Sequence, residues 1–332
     1  WAVIQIVKGL IKKIVLADYI AVHFIDKVAD APEAYPGFVS ILAMWGYSLQ
    51  IYGDFSGYTD IAIGVSRLMG FKLLENFNSP YKAINVADFW RRWHKSLGSW
   101  LRDYLYIPLG GNKGGGLGTY IATTIIFIFL IFITQWYELI YVYLGLMILY
   151  FLCWHLFPKV KNYLNRDLNL LITMVVGGLW HGASENFVIW GSMNGLALIF
   201  FQYWKKISPY ENSSAWGIRA WRIFLTFNFI TFTRIWFRLD EASEPIQMLN
   251  HIWTHFDFTW TVFVKVLETY QAVFWLILIG FVLHWLPQSW KDKGIHIFAR
   301  IPFLIQAVFI AFSVFLMYQA ISDTFKPFVY FQ

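Results

Sequence analysis

The chain has 332 residues, with 26 Lys+Arg against 20 Asp+Glu and a formal net charge of +6. Only 14% of residues are charged while 21% are aromatic, and mean hydropathy is +0.51. A soluble domain carries about a quarter charged residues, so this composition excludes a soluble enzyme, a disordered chain and a nucleic-acid binder led by a basic surface. What remains is an all-α, polytopic membrane protein. The one cysteine, Cys153, excludes an internal disulfide framework and a cysteine metal cluster. The chain opens on Trp1 with no signal-peptide pattern, which points to a fragment lacking an N-terminal part.

A spanning helix needs about 20 mostly apolar residues. Residues 3–24 are apolar but interrupted by Lys8, Lys12, Lys13 and Asp18. Residues 34–53 are free of charge and read as a span. Asp54 and Asp60 follow, flanking Phe-Ser-Gly-Tyr-Thr; they suit pairing with basic residues better than binding a cation. Residues 85–106 read as one amphipathic interfacial helix with Asp88 as its N-cap. Trp90, Trp93, His94, Leu97 and Leu101 share one face, and Arg91, Lys95 and Arg102 lie on another. A histidine on such a face is either a core residue or a functional one. The glycine-rich run after Lys113 lacks the Gly-Lys-Ser/Thr end of a phosphate loop and reads as a flexible turn.

Residues 114–137 and 139–158 form two further spans. Between Tyr120 and Pro158 the only Asp, Glu, Lys or Arg is Glu138, so 120–158 reads as a peripheral, lipid-facing hairpin. A basic loop with Lys159, Lys161 and Arg166 follows. The stretch 168–180 is too short to cross ~30 Å of hydrocarbon as a helix. It reads as a broken segment that turns at Gly177-Gly-Leu-Trp-His-Gly-Ala-Ser184 and leaves His181 at membrane depth. An ionisable residue there is a functional candidate. Further spans are expected at 186–204, 269–290 and 301–322, with a marginal one at 223–239 that holds Arg234 and Arg238. Lys265 is the only Lys or Arg in the intervening loop 240–268, which is placed outside; the basic stretch 72–113 is placed in the cytoplasm. His251 and His255 are four apart but lack the glutamate of a zinc protease, and no metal site is predicted.

Four motifs carry a resemblance: Gln50-Ile-Tyr-Gly-Asp-Phe-Ser-Gly-Tyr-Thr-Asp60, Glu75-Asn-Phe-Asn-Ser-Pro-Tyr-Lys82, Asp88-Phe-Trp-Arg-Arg-Trp-His94 and Trp100-Leu-Arg-Asp-Tyr-Leu-Tyr-Ile-Pro-Leu-Gly-Gly-Asn112. With the Trp180-His181-Gly182 turn and the closing Phe328-Val-Tyr-Phe-Gln332, they resemble the membrane-bound O-acyltransferase (MBOAT) family. The likeness is to its bacterial alginate O-acetylation branch, and more distantly to the D-alanyl transfer proteins of teichoic acid modification. It covers almost the whole chain. It implies a single transmembrane domain over 1–332, a helical bundle with broken and interfacial helices around a central histidine site. It also implies further helices before Trp1, and marks 120–158 as an inserted transmembrane hairpin.

The resemblance assigns His181 as the catalytic histidine, a general base or acyl relay, and His94 as a second functional histidine. It implies a bacterial cytoplasmic (inner) membrane protein with no bound cofactor. Acetyl-CoA or another thioester is the donor, and Arg91, Arg92, Lys95 and Arg102 are candidates for steering that anion. An exported polysaccharide is the acceptor, a periplasmic acetyltransferase the partner, and lipid the surroundings; nucleic acid is not. The Trp180 indole N–H is the one candidate for the oxyanion. Two readings of another class suit the same broken helices: a transporter or flippase, and a scaffold for a periplasmic modifying enzyme.

Overall fold

The computed structural model describes residues 1–239, 241–321 and 328, without the side chains of Trp154, Pro158, Lys159 and Asp292. Val329–Gln332 of the closing motif, Ser322 at the end of the last expected span and Asp240 at the start of the expected outer loop lie outside the described residues. Every regular element among the described residues is helical. The chain divides into two compact units, one of Trp1–Lys82 with Pro245–Gln332 and one of Ala83–Glu244.

The first unit begins with α1 (Ala2–Ile11), which widens into π-helical turns at Lys12–Asp18 and Ala21–Ile25 before α2 (Asp26–Asp30). Its lysines therefore interrupt the apolar pattern without ending the helical path. Then α3 (Gly37–Leu68) runs 32 residues, about 48 Å, where a span ending at Gly53 is expected. The helix continues because its two carboxylates are neutralised from α1 and the turn after it. Lys13 Nζ lies 2.6 Å from Asp54, Lys12 Nζ 2.7 Å from Asp60, and Gln5 Nε2 2.6 Å from Asp60. Pairing, the simpler of the two sequence readings for Asp54 and Asp60, is what the fold uses. Glycines allow that approach: a Cβ on Gly9 would stand 2.6 Å from the Gly57 carbonyl oxygen, and one on Gly57 2.7 Å from that of Gly9.

The second unit opens with α4 (Val86–Arg92) and α5 (Lys95–Leu101), followed by a π turn at Arg102–Tyr106. The expected single helix over 85–106 is thus two. Asn85, not Asp88, caps it: the Asn85 side chain accepts from the Asp88 backbone N–H at 2.7 Å. The hairpin is α6 (Leu117–Thr134) and α7 (Leu139–Leu156). It is not apolar throughout. Thr119 Oγ1 donates to Asn169 Oδ1 at 2.8 Å, the Tyr120 and Tyr150 hydroxyls meet at 2.8 Å, and Tyr150 donates to Asn165. Both asparagines belong to α8 (Pro158–Leu179), so polar rungs tether the hairpin to its neighbour.

At 22 residues, α8 corrects the short broken segment expected from 168 to 180. Its length is about 33 Å. Pro158 suits the first helical position, so Lys161 and Arg166 sit within the helix instead of a loop; Arg166 pairs with Asp167 at 2.6 Å. Gly177 and Gly178 are helical too, and the turn starts only at Trp180. Those glycines serve packing against α9 (Glu185–Ile207): a Cβ on Gly178 would meet the Phe187 carbonyl oxygen at 2.2 Å, and one on Gly191 that of Met174 at 2.5 Å. The unit ends with α10 (Trp216–Thr233) and α11 (Ile235–Arg238).

The expected outer loop 240–268 holds two helices, α12 (Glu244–Thr254) and most of α13 (Trp260–Thr269). α14 (Gln271–Trp285) is bent 86° from α13 and stops before Pro287, short of the expected end at Trp290. Next come α15 (Gln288–Phe298) and α16 (Phe303–Ala320). Among the described residues, α6 and α16 are each long and apolar enough to cross a membrane, and the bent α13–α14 pair makes a third if it is one span. Other expected spans, such as α3 and α9, are helices that carry polar groups along their length.

Candidate active site

The second unit brings its two predicted histidines to one place by two different local devices. At His94, α4 closes with the Trp93 N–H donating to the Phe89 carbonyl, and α5 opens with the Gly98 N–H donating to that of His94. The chain must turn between them, and His94 does so in the left-handed region at φ +44°. A side-chain-bearing residue pays about 1–2 kcal/mol for that conformation. Strain of this kind persists only where the surroundings enforce it, and it clusters at functional sites.

His94 is buried, with the Ser96 hydroxyl 3.4 Å from its Nδ1. Burial pushes its imidazole down to about 4, so at neutral pH the ring is uncharged. One nitrogen then donates and the other accepts.

His181 lies in the turn between α8 and α9. Aromatic rings surround it: Trp180 at 4.9 Å between centroids, Phe237 at 5.0 Å and Trp190 at 5.4 Å, all nearly perpendicular, with Phe187 stacked at 6.1 Å. Trp180 also meets the His94 ring edge-on at 5.8 Å. Both imidazoles therefore face the same indole, and Trp180 itself remains more than half exposed. Such T-shaped contacts hold a ring's orientation without giving it charge.

The sequence pointed to His94 and His181, and the fold juxtaposes them. The four steering candidates fare differently. Asp88 takes Arg92 at 3.0 Å and Arg91 at 3.5 Å, and Asp103 takes Arg102 at 2.8 Å. Lys95 is exposed and has no carboxylate partner among the described residues. So three of the four cations share two carboxylates, with Arg91, exposed and at the longer distance, the least offset of them. His251 and His255 stack at 5.1 Å, and His251 Nε2 hydrogen-bonds to the Tyr35 carbonyl, a structural use.

Sequence reasoning missed Arg234. Its guanidinium is buried over the Trp93 ring at 4.6 Å and the Phe89 ring at 5.8 Å, next to the strained His94. The signal was present: Arg234 interrupts an otherwise apolar stretch, and a charge at such a place is functional by default. Phe237 and Trp190 also escaped notice, since nothing distinguishes them from other core aromatics.

The regular elements among the described residues are all helices, and two of them are long and apolar enough to cross a membrane. Residues 2–156 match MBOAT, the membrane-bound O-acyltransferase family, and the chain belongs to it. His94 and the α6–α7 hairpin fall inside the matched stretch; His181 lies beyond it. The chain is 34% identical over 242 residues to the peptidoglycan O-acetyltransferase of Helicobacter pylori, covering 73% of this chain and 36% of that protein. It is 36% identical over 195 residues to the probable alginate O-acetylase AlgI of Pseudomonas aeruginosa, 58% of this chain and 28% of that one. With the teichoic acid D-alanyltransferase of Bacillus subtilis it shares 29% over 197 residues, 58% and 39% of the two chains. The chain thus spans only about a third of the length of these relatives.

Proposed function

We propose that this chain forms the core of a membrane-bound O-acyltransferase of the bacterial inner membrane, which moves acetyl from a cytoplasmic thioester, acetyl-CoA, to hydroxyls of an exported polysaccharide or cell-wall polymer. The observation that carries this reading is the pair of imidazoles, His94 and His181, turned toward one half-exposed indole. Acyl transfer to a hydroxyl needs a group that takes the hydroxyl proton and donors that stabilise a tetrahedral oxyanion. An imidazole suits the first task because its ordinary pKa lies near working pH.

In this scheme His181 takes the proton as the hydroxyl oxygen attacks the thioester carbonyl. A C–O bond forms, the carbonyl becomes an oxyanion, and the C–S bond then breaks. The departing sulfur receives the proton from the His181 imidazolium, leaving the base as it began. His94, neutral and held in a strained turn, supplies a hydrogen-bond donor, and the Trp180 indole N–H is a second. Lys95 and the exposed Arg91 are the steering cations that remain for the anionic donor. The attacking hydroxyl in this step belongs to a periplasmic acetyltransferase, which passes the acetyl onward to a hydroxyl of the polymer.

The similarity to proteins named for peptidoglycan, alginate and teichoic acid acylation supports a polymer acceptor. The test is polymer acetyl content in a strain carrying His181→Ala, with protein abundance in the membrane checked in parallel. Acetylation falls to background while the protein still inserts. Near-normal acetyl content overturns the catalytic assignment and leaves a scaffold for the partner enzyme.

A further inference from the structure

The second unit holds a groove of about 530 Å³, lined from α9, α10 and the 84–86 stretch that leads into α4. Its walls are mostly apolar, with Met193, Leu196 and Phe200 from α9 and Leu225 and Phe229 from α10. Leu196, Phe200 and Leu225 are also exposed, so the groove opens on an apolar surface of the kind that lipid covers. From Met193 to Trp204, α9 rises about 16 Å. That is close to one leaflet of a ~30 Å hydrocarbon core.

Polar groups gather at the Trp204 end, where Asn85, Tyr210, Glu211 and Arg222 join the lining. Arg222 donates from Nη2 to Glu211 Oε2 at 2.8 Å, from Nη1 to the Glu211 carbonyl at 3.0 Å and from Nε to the Ile84 carbonyl at 3.3 Å. A guanidinium has five N–H groups, so one on each terminal nitrogen is left over. Asn85 uses its side-chain oxygen on the Asp88 N–H, and Thr226 gives its hydroxyl proton to the Arg222 carbonyl. Glu211 Oε1, the Asn85 amide nitrogen and the Tyr210 hydroxyl have no hydrogen-bond partner among the described residues. This end therefore presents several donors beside one open carboxylate oxygen, and the charges of Arg222 and Glu211 cancel. Lys205 and Lys206 are not in the lining; Lys206 lies over the Tyr163 and Tyr203 rings at 5.4 Å.

We infer that this groove binds a phosphatidylethanolamine. Its phosphate accepts from Arg222, Asn85 and Tyr210, its primary ammonium donates to Glu211 Oε1, and one acyl chain lies along the apolar wall of α9. The headgroup has no net charge, as the polar end of the groove has none. A choline headgroup has no N–H to give Glu211, and an anionic headgroup without an ammonium would set like charge against it. An amphiphile also explains why one end of the groove is polar and the rest is not. Neither His94 nor His181 lines the groove, and the inference stands whether or not acyl transfer is the activity.

The test uses the full-length protein, purified in detergent and examined by native mass spectrometry with the dioleoyl forms of phosphatidylethanolamine, phosphatidylcholine and phosphatidylglycerol. The expected result is saturable retention of phosphatidylethanolamine, about tenfold above either of the others, as one charge-assisted hydrogen bond provides. Glu211→Gln leaves the Arg222 charge uncancelled, and the preference passes to phosphatidylglycerol. Ala197→Phe is the second variant: Ala197 lines the groove, so the new ring fills it without altering charge, and saturable retention is lost. Millimolar phosphoethanolamine leaves lipid retention unchanged; if it displaces the lipid, the polar end serves the free headgroup and the lipid assignment falls. Equal retention of phosphatidylethanolamine and either other lipid by the wild type overturns the inference without any variant. An unchanged preference in a folded Glu211→Gln protein, or full retention by a folded Ala197→Phe protein, overturns it too.

Discussion

In the first unit, Lys13 sits 2.6 Å from Asp54 and Lys12 sits 2.7 Å from Asp60. Around the histidines of the second unit, the neighbours are rings: Trp180, Trp190 and Phe237 against His181, and Trp93 and Phe89 under Arg234. Each region keeps titratable groups away from water, by opposite means. An ion pair fixes the protonation state of both members and locks two helices together, and it fails badly when one member is lost. A cage of aromatic edges fixes an imidazole's orientation without placing a fixed charge beside it. The first arrangement suits a frame, the second a reacting group.

The sharpest way to break that contrast is to unpair the frame. Asp54 is 1% exposed, so Lys13→Met takes the lysine from a buried carboxylate and also from Asp18 at 2.9 Å, and costs about 3–5 kcal/mol. Thermal unfolding of the purified protein should show it, and Lys13→Met with Asp54→Leu should restore most of the loss. If the single variant unfolds like the wild type, the pair is not part of the frame. On the other side, Trp180→Ala should lower acyl transfer by about a hundredfold with little change in melting, because the ring is half exposed. Trp180→Phe should lose less, retaining the ring edge for both imidazoles but not the indole N–H. Equal activity in all three proteins removes Trp180 from the site.

A smaller effect is expected at Arg234. Lys in its place keeps the charge but not the flat face against Trp93, which is worth about 0.5–2 kcal/mol; the melting temperature measures it. The smallest is a pH effect. His94 titrates at about 4 in the folded chain and at about 6.5 when unfolded. Its folded pKa is the lower, so the unfolded chain binds the extra proton. Stability is full above about 6.5 and declines as pH falls toward 4. Between pH 7 and 6 the melting temperature should drop slightly more for the wild type than for His94→Gln.

The helical class and most helix centres were legible from charge gaps, and α6 and α16 fall within three residues of their expected limits at each end. Where the reading failed, a partner distant in sequence had cancelled a local signal. Asp54 and Asp60 looked like a helix end because their lysines lie some forty residues earlier. Residues 158–167 looked like a basic loop because the Arg166–Asp167 pair and the Pro158 start were not weighed as a helix opening. At the site, the two histidines stood out by residue type and motif. The left-handed turn at His94 did not, since histidine has no local preference that demands it and the turn depends on how α4 and α5 join. Arg234 was visible as an intramembrane charge but its stacking partners come from 140 residues upstream, beyond any pattern in the local sequence.

The lysine–aspartate pairs joining the start of the chain to α3 also bear on how the protein is made. Lys, Arg or Asp at the centre of a membrane helix costs about 2.5–3.5 kcal/mol each on insertion scales. A segment that brings Lys8, Lys12 and Lys13 is therefore a poor candidate for the lipid phase by itself, and so is one that brings Asp54 and Asp60. Only as a couple, charges matched and glycine faces touching, do they become tolerable cargo for the insertion machinery. The pairing predicts that the earlier segment, expressed in a chain cut before Asp54, inserts poorly, and that it inserts stably once the later one is present.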